Sequence, residues 1–336
     1  MKVAITGGAG FIGSHLLQSL YHKSTHIVVI DNLSNSKLPD FFLKHGHFVE
    51  DQFKSSRLCF HKVDIRDKFS LESIFAKNNK IDICIHLAAQ ISVTDSIKDP
   101  KKTVDINING TKNILDMCIK SGINNFVFAS SAAVYGNPTR LPLSENEAVH
   151  PISPYGESKL KAEQLVSSYS KEIQNAKSLR FFNIYGDGQT PEYAGVITKF
   201  AGRLNNGLSP IIYGSGCQTR DFISVHDVTK AIILASRIDK HDRNDSRNGF
   251  VSNSDMNTFN IGTGVPSRIL DVANMMIDLF QSKKQSISFS KTIKPIHAPS
   301  VEGDIIESYA DITKAKQSLG FRYYYDINAG LKELYA

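Results

Sequence analysis

Short apolar runs recur along the first part of the chain, and each ends at a glycine-rich or polar segment. They lie at residues 2–6, 26–30, 60–63, 82–87, 125–129 and 178–182. Segments with helical periodicity lie between them, and the clearest is 105–121, where isoleucine and leucine recur at helical spacing. Strands that alternate with helices are typical of a parallel sheet covered by helices on both faces. The pattern predicts an α/β fold built on a Rossmann-type doubly wound parallel sheet.

The pattern becomes less regular from about residue 187, where we expect the first domain to end. Residues 240–257 contain little that could enter a core, which predicts a polar surface insertion. We therefore expect a second, smaller α/β substrate domain towards the C terminus. The first domain takes in residues 1–186 and is rejoined by about 222–240 and 258–264, and the second takes in 187–221 and 265–336.

A glycine-rich turn follows the first predicted strand. Gly7, Gly10 and Gly13 form a GxxGxxG pattern between strand 2–6 and a helix predicted at about 14–22. A strand, a glycine turn and a helix in that order are the context of a dinucleotide site, because the amides at the helix start point at a pyrophosphate. An ordinary glycine-rich turn is the alternative interpretation.

Asp31 ends the second predicted strand, about 18 residues beyond Gly13. A carboxylate there can accept both ribose hydroxyls of adenosine and would repel a 2′-phosphate, which favours NAD over NADP. A solvated aspartate at a strand end is the alternative.

Tyr155 and Lys159 lie four residues apart at the start of a predicted helix, so both side chains share one face. A nearby ammonium favours the phenolate of a tyrosine, which would let Tyr155 act as a general base. Ser130 and Ser131 end the fifth predicted strand, at the sheet edge where ligands of doubly wound folds bind. The alternative interpretations are that Tyr155 and Lys159 simply begin an amphipathic helix, and that the two serines only cap the turn after the strand.

Composition and charge narrow the class of protein. Hydrophobic residues make up 41% and charged residues 21% of the 336 residues, as in a soluble globular protein. The net charge of +6 comes from scattered lysines and arginines, which disfavours nucleic-acid binding and suits an anionic small substrate. No apolar run approaches the roughly 20 residues that span a bilayer, and no signal-peptide core follows Met1. We expect a cytoplasmic protein that binds neither membrane nor nucleic acid.

The four cysteines are far apart and form no CxxC pair, so we expect reduced thiols and no metal site.

Seven motifs together resemble the extended short-chain dehydrogenase/reductases, specifically their nucleotide-sugar epimerase and dehydratase branch. They cover nearly the whole chain in the order typical of that family. The motifs are Thr6-Gly7-Gly8-Ala9-Gly10-Phe11-Ile12-Gly13-Ser14, His86-Leu87-Ala88-Ala89, Asn107-Ile108-Asn109-Gly110-Thr111, Ser130-Ser131-Ala132-Ala133-Val134-Tyr135-Gly136, Tyr155-Gly156-Glu157-Ser158-Lys159, Arg180-Phe181-Phe182-Asn183-Ile184-Tyr185-Gly186 and Arg220-Asp221-Phe222.

The resemblance implies a tightly held NAD in the first domain and a nucleotide sugar in the second. It implies three catalytic residues, Ser131, Tyr155 and Lys159. The cofactor-binding residues that it implies are Gly7, Gly10, Phe11, Ile12, Gly13, Asp31, Asn32, Asp64, Ile65, Leu87, Ala88, Ala89, Asn107, Tyr155, Lys159 and Phe182. The substrate-binding residues that it implies are Ser92, Ser131, Asn183, Val196, Arg220, Asp304 and Ser308.

The reaction implied is C4 epimerisation of a UDP-hexose. Tyr155 would take the proton of the sugar 4-hydroxyl while hydride passes from C4 to NAD, leaving a 4-keto sugar that turns over before hydride returns. Dehydratases and decarboxylases of this branch carry a further acid or base within the three residues that begin at the position of Ser131. This chain has Ala132 and Ala133 there, which cannot transfer a proton.

Two positions bear on the substrate. Ser308 aligns with a position that is bulky in epimerases restricted to UDP-glucose and small in those that also accept UDP-N-acetylglucosamine, although local packing also explains a serine. Val301 stands where the family usually has a diphosphate-binding arginine. Loss of the arginine contact would weaken diphosphate binding by about 1.5–3 kcal/mol unless Lys294, His297 or Arg268 takes its place.

The resemblance favours UDP-GlcNAc/UDP-GalNAc or UDP-Glc/UDP-Gal as substrates. UDP-glucuronate 4-epimerisation and nucleotide-sugar dehydration or reduction are alternatives, and a non-catalytic NAD-binding regulatory protein is another. The family also implies a homodimer formed through a four-helix bundle of the helices near 105–121 and 155–175.

Overall fold

The computed structural model describes residues 1–45, 47–49, 52–54, 57–190, 195–236, 257–284, 293–301 and 303–334. The insertion predicted at 240–257 lies outside these ranges apart from Asn257, and it stays a prediction.

The secondary structure alternates between strands and helices. The strands are β1 (Lys2–Thr6), β2 (His26–Asp31), β3 (His47–Val49), β4 (Gln52–Lys54), β5 (Leu58–Lys62), β6 (Ile83–His86), β7 (Asn125–Ser131), β8 (Asn175–Phe181), β9 (Asn183–Tyr185), β10 (Ile211–Tyr213), β11 (Thr219–Ser224), β12 (Thr258–Ile261), β13 (Pro266–Arg268), β14 (Ile296–Ala298) and β15 (Glu307–Ser308). The α-helices are α1 (Phe11–Tyr21), α2 (Asp40–His45), α3 (Lys68–Lys77), α4 (Val93–Lys98), α5 (Pro100–Val104), α6 (Gly110–Lys120), α7 (Pro154–Ser168), α8 (Val196–Asn205), α9 (Val225–Ala235), α10 (Ile269–Lys284), α11 (Thr313–Leu319) and α12 (Ile327–Leu334). A π-helical turn covers Asp105–Asn109 and a 3-10 turn covers Ala132–Val134.

The main sheet confirms the predicted Rossmann-type doubly wound fold. Its strand order is β12-β8-β7-β6-β1-β2-β5-β4-β3, and the strands from β12 to β5 are parallel. The chain runs outward from β1 to β5 and then returns across the sheet to β6. The strand order therefore reverses between β1 and β6, which is the switch point where ligands of this fold bind. The antiparallel hairpin β3–β4 extends one edge and was not predicted, because strands of three residues give no readable period.

Successive residues of the central strands face opposite layers of helices. Val3 and Ile5 pack into one buried cluster with residues of α1 and α9, while Ala4 between them joins the opposite cluster. That second cluster contains residues of α3, α6 and α7. Both faces are apolar and covered, which explains why the strands read as continuous apolar runs.

A further apolar cluster forms beyond the main sheet. Helices α8, α10 and α12 contribute to it together with Ile212 of β10 and Phe222 of β11. Strand β11 pairs with β9, β13 and β15, and β10 pairs with β14. The predicted strand near 210–213 therefore belongs to a small separate sheet. The division of the chain into the two predicted domains stays a proposal.

No helix within the described part of the chain is both long enough and apolar enough to cross a membrane.

Candidate active site

A cavity of about 840 Å³ opens at the carboxyl ends of β1, β2, β5 and β6. Its size is in the range of small-molecule and cofactor sites. Its wall is formed by the glycine turn and the start of α1, the loops after β2, β5 and β6, parts of α4 and α5, and residues 188–190. The predicted cofactor residues among its lining are Gly7, Gly10, Phe11, Ile12, Gly13, Asp31, Asn32, Asp64, Ile65, Leu87, Ala88 and Ala89.

Two glycines of the turn are required by close packing. Gly7 has φ +71°, and a Cβ there would lie 2.6 Å from the amide nitrogen of Ala88. A Cβ at Gly13 would collide with the carbonyl oxygen of Gly7. Helix α1 begins directly after Gly10, so its first amides line the cavity. A helix N terminus of this kind is suited to bind a phosphate group.

Asp31 lies on the cavity wall at the end of β2. Its two carboxylate oxygens accept hydrogen bonds from the backbone amides of Ala9 at 3.0 Å and Leu33 at 2.8 Å. Burial raises the pKa of this carboxyl, and the two backbone donors oppose that shift. Both bonds fix the carboxylate beside the glycine turn, and contact with an adenosine ribose stays a prediction.

Asp64 follows β5 on the same wall. The Arg66 guanidinium, with Asn32 as a further donor, lowers the pKa of Asp64 to about 2, although partial burial opposes the shift. Asp64 is therefore anionic near neutral pH, and its oxygens are largely engaged by Arg66 and Asn32.

Helix α7 begins where the sequence predicts, one residue before Tyr155. Ser153 caps it by accepting the amide of Gly156 at 3.1 Å, and Pro154 occupies the first turn. A Cβ at Gly156 would lie 2.6 Å from the carbonyl oxygen of Ala133. The glycine thus lets the start of α7 approach the turn that follows Ser131.

Ser131 and Tyr155 are brought together across this contact. The Ser131 hydroxyl lies close enough to the Tyr155 phenol to lower its pKa, against the larger opposing effect of burial. It also accepts the amide of Ala133 at 3.2 Å, which caps the 3-10 turn. A hydroxyl pair at the carboxyl end of β7 can exchange a proton with a substrate hydroxyl.

Lys159 lies one turn further along α7 and is 3% exposed. Its Nζ donates to the carbonyl oxygen of Ala129 at 2.8 Å and lies 6.0 Å from the centre of the Tyr155 ring. Burial lowers the pKa of Lys159 to about 8, and the nearby Glu163 carboxylate opposes that shift.

The net pKa shift of Tyr155 is opposite to the one that the sequence predicted for it. Burial raises the pKa of the phenol, and the lowering contribution comes from the Ser131 hydrogen bond. Desolvation disfavours any anion, and it outweighs the neighbouring groups here. The predicted role of Lys159 in tuning Tyr155 stays a proposal.

Asn107 connects the cavity wall to α7. It lies in the π-helical turn, where its side-chain amide donates to the carbonyl oxygen of Gln90 at 3.0 Å and to Ser158 at 2.9 Å. Its Oδ1 accepts the amide of Gln90 at 2.7 Å. Ser158 in turn donates to the carbonyl oxygen of Tyr155. A π-turn re-aims a side chain out of the ordinary helical ladder, and such turns are frequent at functional sites.

His86 joins the ends of β1 and β6. Thr111 donates its hydroxyl proton to the Asn107 carbonyl, so it can only accept from Nε2–H of His86 at 2.9 Å. Nδ1 of His86 is then the acceptor for the Thr6 hydroxyl. Burial lowers the pKa of His86 to about 3, which keeps the ring neutral.

A buried ion pair lies behind Ser131 and Lys159. Arg180 donates to both carboxylate oxygens of Glu163, at 2.8 Å from Nη2 to Oε2 and 3.0 Å from Nε to Oε1. Ser130 donates to the same Glu163 carboxylate at 2.5 Å. Arg180 also donates to the Tyr135 hydroxyl at 3.0 Å, and Tyr135 donates to Asn260 of β12.

Arg220, Asp304 and Ser308 lie together on the small sheet. Arg220 of β11 is opposite Ser308 of β15, and its guanidinium pairs with Asp304 at 2.6 Å. Asp221 beside it is fully buried and accepts from the amides of Thr263, Gly264 and Ala310. These bonds fix the register that presents Arg220.

The remaining predicted substrate residues are more dispersed. Asn183 donates to the carbonyl oxygen of Asp221 at 3.3 Å, and Val196 begins α8. Phe182, which the sequence assigned to the cofactor, is buried in the cluster that includes Tyr135 and Ala310. Ser92 caps α4 by accepting the amide of Asp95 at 3.0 Å. Contact of these residues with a ligand stays a prediction.

The candidates to replace the arginine missing at Val301 differ in position. Arg268 is opposite Thr219, so it lies on the sheet face away from Arg220. His297 is exposed and bonds to the carbonyl oxygen of Gly214 at 2.7 Å through Nδ1, while Lys294 is exposed. Arg220 is the cation that the described residues bring next to Ser308.

Sequence reasoning missed several residues that support the site. Glu163 is four residues after Lys159, so helical spacing could have identified it as a neighbour. Ser96 accepts the amide of Tyr155 at 3.1 Å, and Gln90 is held by Asn107. These two partners are distant in sequence, and no local pattern indicates them.

Comparison with known proteins agrees with these features. The model of the family described as GDP-mannose 4,6-dehydratase matches residues 4–334. A protein of Methanocaldococcus jannaschii, provisionally named a UDP-glucose 4-epimerase, is 37% identical over 99% of this chain and 96% of its own length.

Two solved structures are similar along their whole length. The UDP-N-acetylglucosamine 4-epimerase of Methanobrevibacter ruminantium, solved with UDP-N-acetylmuramic acid, is 30% identical with a TM-score of 0.79, over 99% of this chain and 97% of that one. The UDP-glucose 4-epimerase of Thermus thermophilus, solved with NAD, is 29% identical with a TM-score of 0.78, over the same shares of the two chains.

Burial of Lys159 predicts a pH-dependent contribution to stability. Its pKa falls from 10.5 to about 8 on folding, so between these pH values the unfolded chain holds a proton that the folded chain lacks. Stability therefore rises with pH in this window, by up to about 3 kcal/mol for this group. We expect the free energy of unfolding of the wild type, minus that of Lys159→Met, to increase from pH 8 to 10.5 in urea titrations. Lys161→Met, at an exposed position of α7, is the control. The prediction is contradicted if the free energies of unfolding of the wild type and Lys159→Met change with pH by the same amount.

Proposed function

The chain belongs to the GDP-mannose 4,6-dehydratase family of extended short-chain dehydrogenase/reductases, and we propose that it is a UDP-hexose 4-epimerase. The observation that carries the proposal is the contact of Ser131 with Tyr155 beside Lys159, followed by two alanines where a dehydratase acid would stand.

NAD is the cofactor of this chain. The cavity fits such a group: it has the volume for a dinucleotide, amides of α1 to receive a pyrophosphate, and carboxylates after β2 and β5. Gly7, Gly10 and Gly13 would hold the pyrophosphate, Asp31 the adenosine ribose, and Lys159 the nicotinamide ribose. When bound, NAD supplies reversible hydride transfer at C4 of the sugar.

Tyr155 is the proposed general base. Its Oη takes the proton of the sugar 4-hydroxyl, and the Ser131 hydroxyl orients both oxygens. Lys159 Nζ lies 6.0 Å from the centre of the Tyr155 ring, and we propose that its positive charge favours the phenolate during the reaction. On the return step the same oxygen gives the proton back, which a reversible epimerisation requires.

The residues after Ser131 restrict what else the site can do. Ala132 and Ala133 form the 3-10 turn that faces α7, and neither side chain can hold a proton. Elimination of water from a 4-keto sugar needs a further acid or base at this place. The turn therefore favours return of hydride at C4, with epimerisation as the result.

The proposed substrates are UDP-GlcNAc/UDP-GalNAc and UDP-Glc/UDP-Gal. Arg220 is the proposed diphosphate-binding residue, and Ser308, opposite it on β15, has a small side chain. A small residue leaves room for an acetamido group beside the sugar ring. The similar structure from Methanobrevibacter ruminantium is itself named a UDP-N-acetylglucosamine 4-epimerase.

We also propose that the chain forms a homodimer through α6 and α7, which lie in the helical regions near 105–121 and 155–175 that are predicted to form a four-helix bundle. Ile119 of α6 is 40% exposed, and burial of such a residue favours association. Light scattering is expected to give twice the 37.2 kDa of the chain, and a monomeric mass at working concentration would refute the pairing.

Replacement of Tyr155 tests the reaction. We expect Tyr155→Phe to lower kcat for UDP-glucose and UDP-GlcNAc epimerisation by about a hundredfold to ten-thousandfold, because the base is removed while the ring remains. Products are read by NMR, with UDP-glucuronate as a third substrate. Tyr324→Phe, at an exposed tyrosine on another surface, is the control and should retain turnover. A 4-keto-6-deoxy or pentose product, or stoichiometric consumption of added NADH, would overturn the epimerase assignment.

Enlargement of Ser308 tests the substrate. We expect Ser308→Tyr to lower kcat/KM for UDP-GlcNAc by about tenfold to a hundredfold and to change the value for UDP-glucose less, since only the first carries an acetamido group to be excluded. Ser308→Ala keeps the position small and should retain both activities. Equal losses for both substrates in Ser308→Tyr would show that this position does not select between them.

A further inference from the structure

One stretch of the cavity wall, residues 187–190, lies outside the helices and strands, and we call it the wall segment. Residues 188–190 line the cavity together with the glycine turn and the first turn of α1. A Cβ at Gly186, directly before the wall segment, would lie 3.3 Å from Cζ of Phe11 in that turn. The wall segment therefore begins beside the part of α1 where the pyrophosphate is proposed to bind.

His15 of α1 holds the first residue of the wall segment. Its Nε2 lies 2.9 Å from the carbonyl oxygen of Asp187, and because a carbonyl oxygen can only accept, this ring nitrogen carries a proton and donates it. The ring makes edge-on contacts with Phe11 and His226, at centroid distances of 5.8 and 5.1 Å. His226 is in turn held by α12, where the Glu333 carboxylate lies 3.2 Å from its Nε2. The donor of His15 is thus fixed by packing against α1 and α9.

A second hydrogen bond holds the wall segment two residues further along. The Thr198 hydroxyl of α8 donates to Oε1 of Gln189 at 2.6 Å. Helix α8 packs into the apolar cluster beyond the main sheet, whereas α1 packs on the sheet itself. The wall segment is therefore anchored both to the sheet layer and to the part of the molecule beyond it.

The proposed reaction makes a particular demand on this wall. NADH formed by the first hydride transfer must stay bound until the second, because the 4-keto sugar regains its hydride from that molecule. A dinucleotide beside a wall that is anchored at two points leaves more slowly than one beside a free loop, since the anchored wall must first be displaced. Contacts of this kind act mainly on the dissociation rate.

We propose that His15 and Thr198 are positioning residues, which hold the wall segment against the bound cofactor and so retain NADH between the two hydride transfers. The inference rests on the proposed function, which requires NAD in this cavity. Both residues act through the wall segment, and neither takes part in the proton transfer.

The first test measures how fast NADH leaves the full chain. Protein loaded with NADH is mixed with excess NAD, and the loss of NADH fluorescence is followed by stopped flow. We expect His15→Phe, which keeps an aromatic ring but has no donor, to raise the dissociation rate constant by about threefold to tenfold. His15→Gln places an amide nitrogen near the position of Nε2 and should restore most of the slow rate. His22→Phe, at the exposed residue after α1, is the control.

Two results of this test would overturn the assignment of His15. One is a rate constant for His15→Phe equal to that of the wild type. The other is a rate constant for His15→Gln as high as that for His15→Phe, which would assign the effect to packing of the ring and not to its hydrogen bond.

The second anchor is tested in the same assay. Thr198→Val keeps the shape of the side chain and removes the hydroxyl, and we expect it to raise the dissociation rate constant of NADH by about threefold to tenfold. Thr313→Val, at an exposed position at the start of α11, is the control. An unchanged rate in Thr198→Val would overturn the assignment of Thr198.

A third test follows NADH during turnover of a UDP-sugar. Lactate dehydrogenase and pyruvate are added, so that each NADH that leaves the site reduces one pyruvate to lactate. We expect His15→Phe to form about threefold to tenfold more lactate per epimerised sugar than the wild type, because NADH escapes before hydride returns. Equal lactate yields would overturn the inference.

The two proposals fail in different ways. If the wild type binds neither NAD nor NADH, the cofactor assignment fails and the proposed function fails with it. If the wild type binds NADH and epimerises a UDP-sugar, while His15→Phe and Thr198→Val release NADH no faster, only the inference about the wall segment fails.

Discussion

The buried ion pair of Glu163 and Arg180 is the contact on which the geometry of the site depends. Each residue is 6% exposed, and the pair joins α7 to β8 while Ser130 ties the same carboxylate to β7. Removing one partner would leave an unpaired charge in the core, which costs about 3–5 kcal/mol in comparable pairs. The contact lies one helical turn from Lys159 and one residue from Ser131. It therefore holds the strand end and the helix that together carry the proposed chemistry.

The same network extends to the chain around β15. Arg180 bonds Tyr135, Tyr135 bonds Asn260, and Asn260 bonds the carbonyl oxygen of Leu143 at 2.9 Å. Leu143 exchanges backbone bonds with the chain at Tyr309 and Asp311, directly after Ser308. A continuous set of polar contacts thus connects the ion pair of α7 and β8 to the chain directly after β15. Such contacts rigidify a site when every member is satisfied.

The cofactor side is organised by a second set of bonds, centred on Asn107 and His86. Asn107 holds the backbone of Gln90 and reaches α7 through Ser158, while the neutral His86 joins the ends of β1 and β6. The proposed specificity depends as much on small side chains as on polar ones. Ala132 and Ala133 provide no acid, and Ser308 leaves space. Valine at position 301 carries no charge, and Arg220 is the cation that the described residues bring beside Ser308.

Part of the fold and part of the candidate site were determined by the sequence alone, because they depend on local geometry. Helical period places Tyr155 and Lys159 on one face, a glycine turn between strand and helix predicts a phosphate site, and continuous apolar runs predict a covered parallel sheet. The hairpin β3–β4, the π-turn at Asn107, the unpaired oxygen of Gln90 and the upward pKa shift of Tyr155 were decided by the tertiary structure. Burial and hydrogen bonding at these positions depend on segments that are distant in sequence and meet only when the sheet has formed.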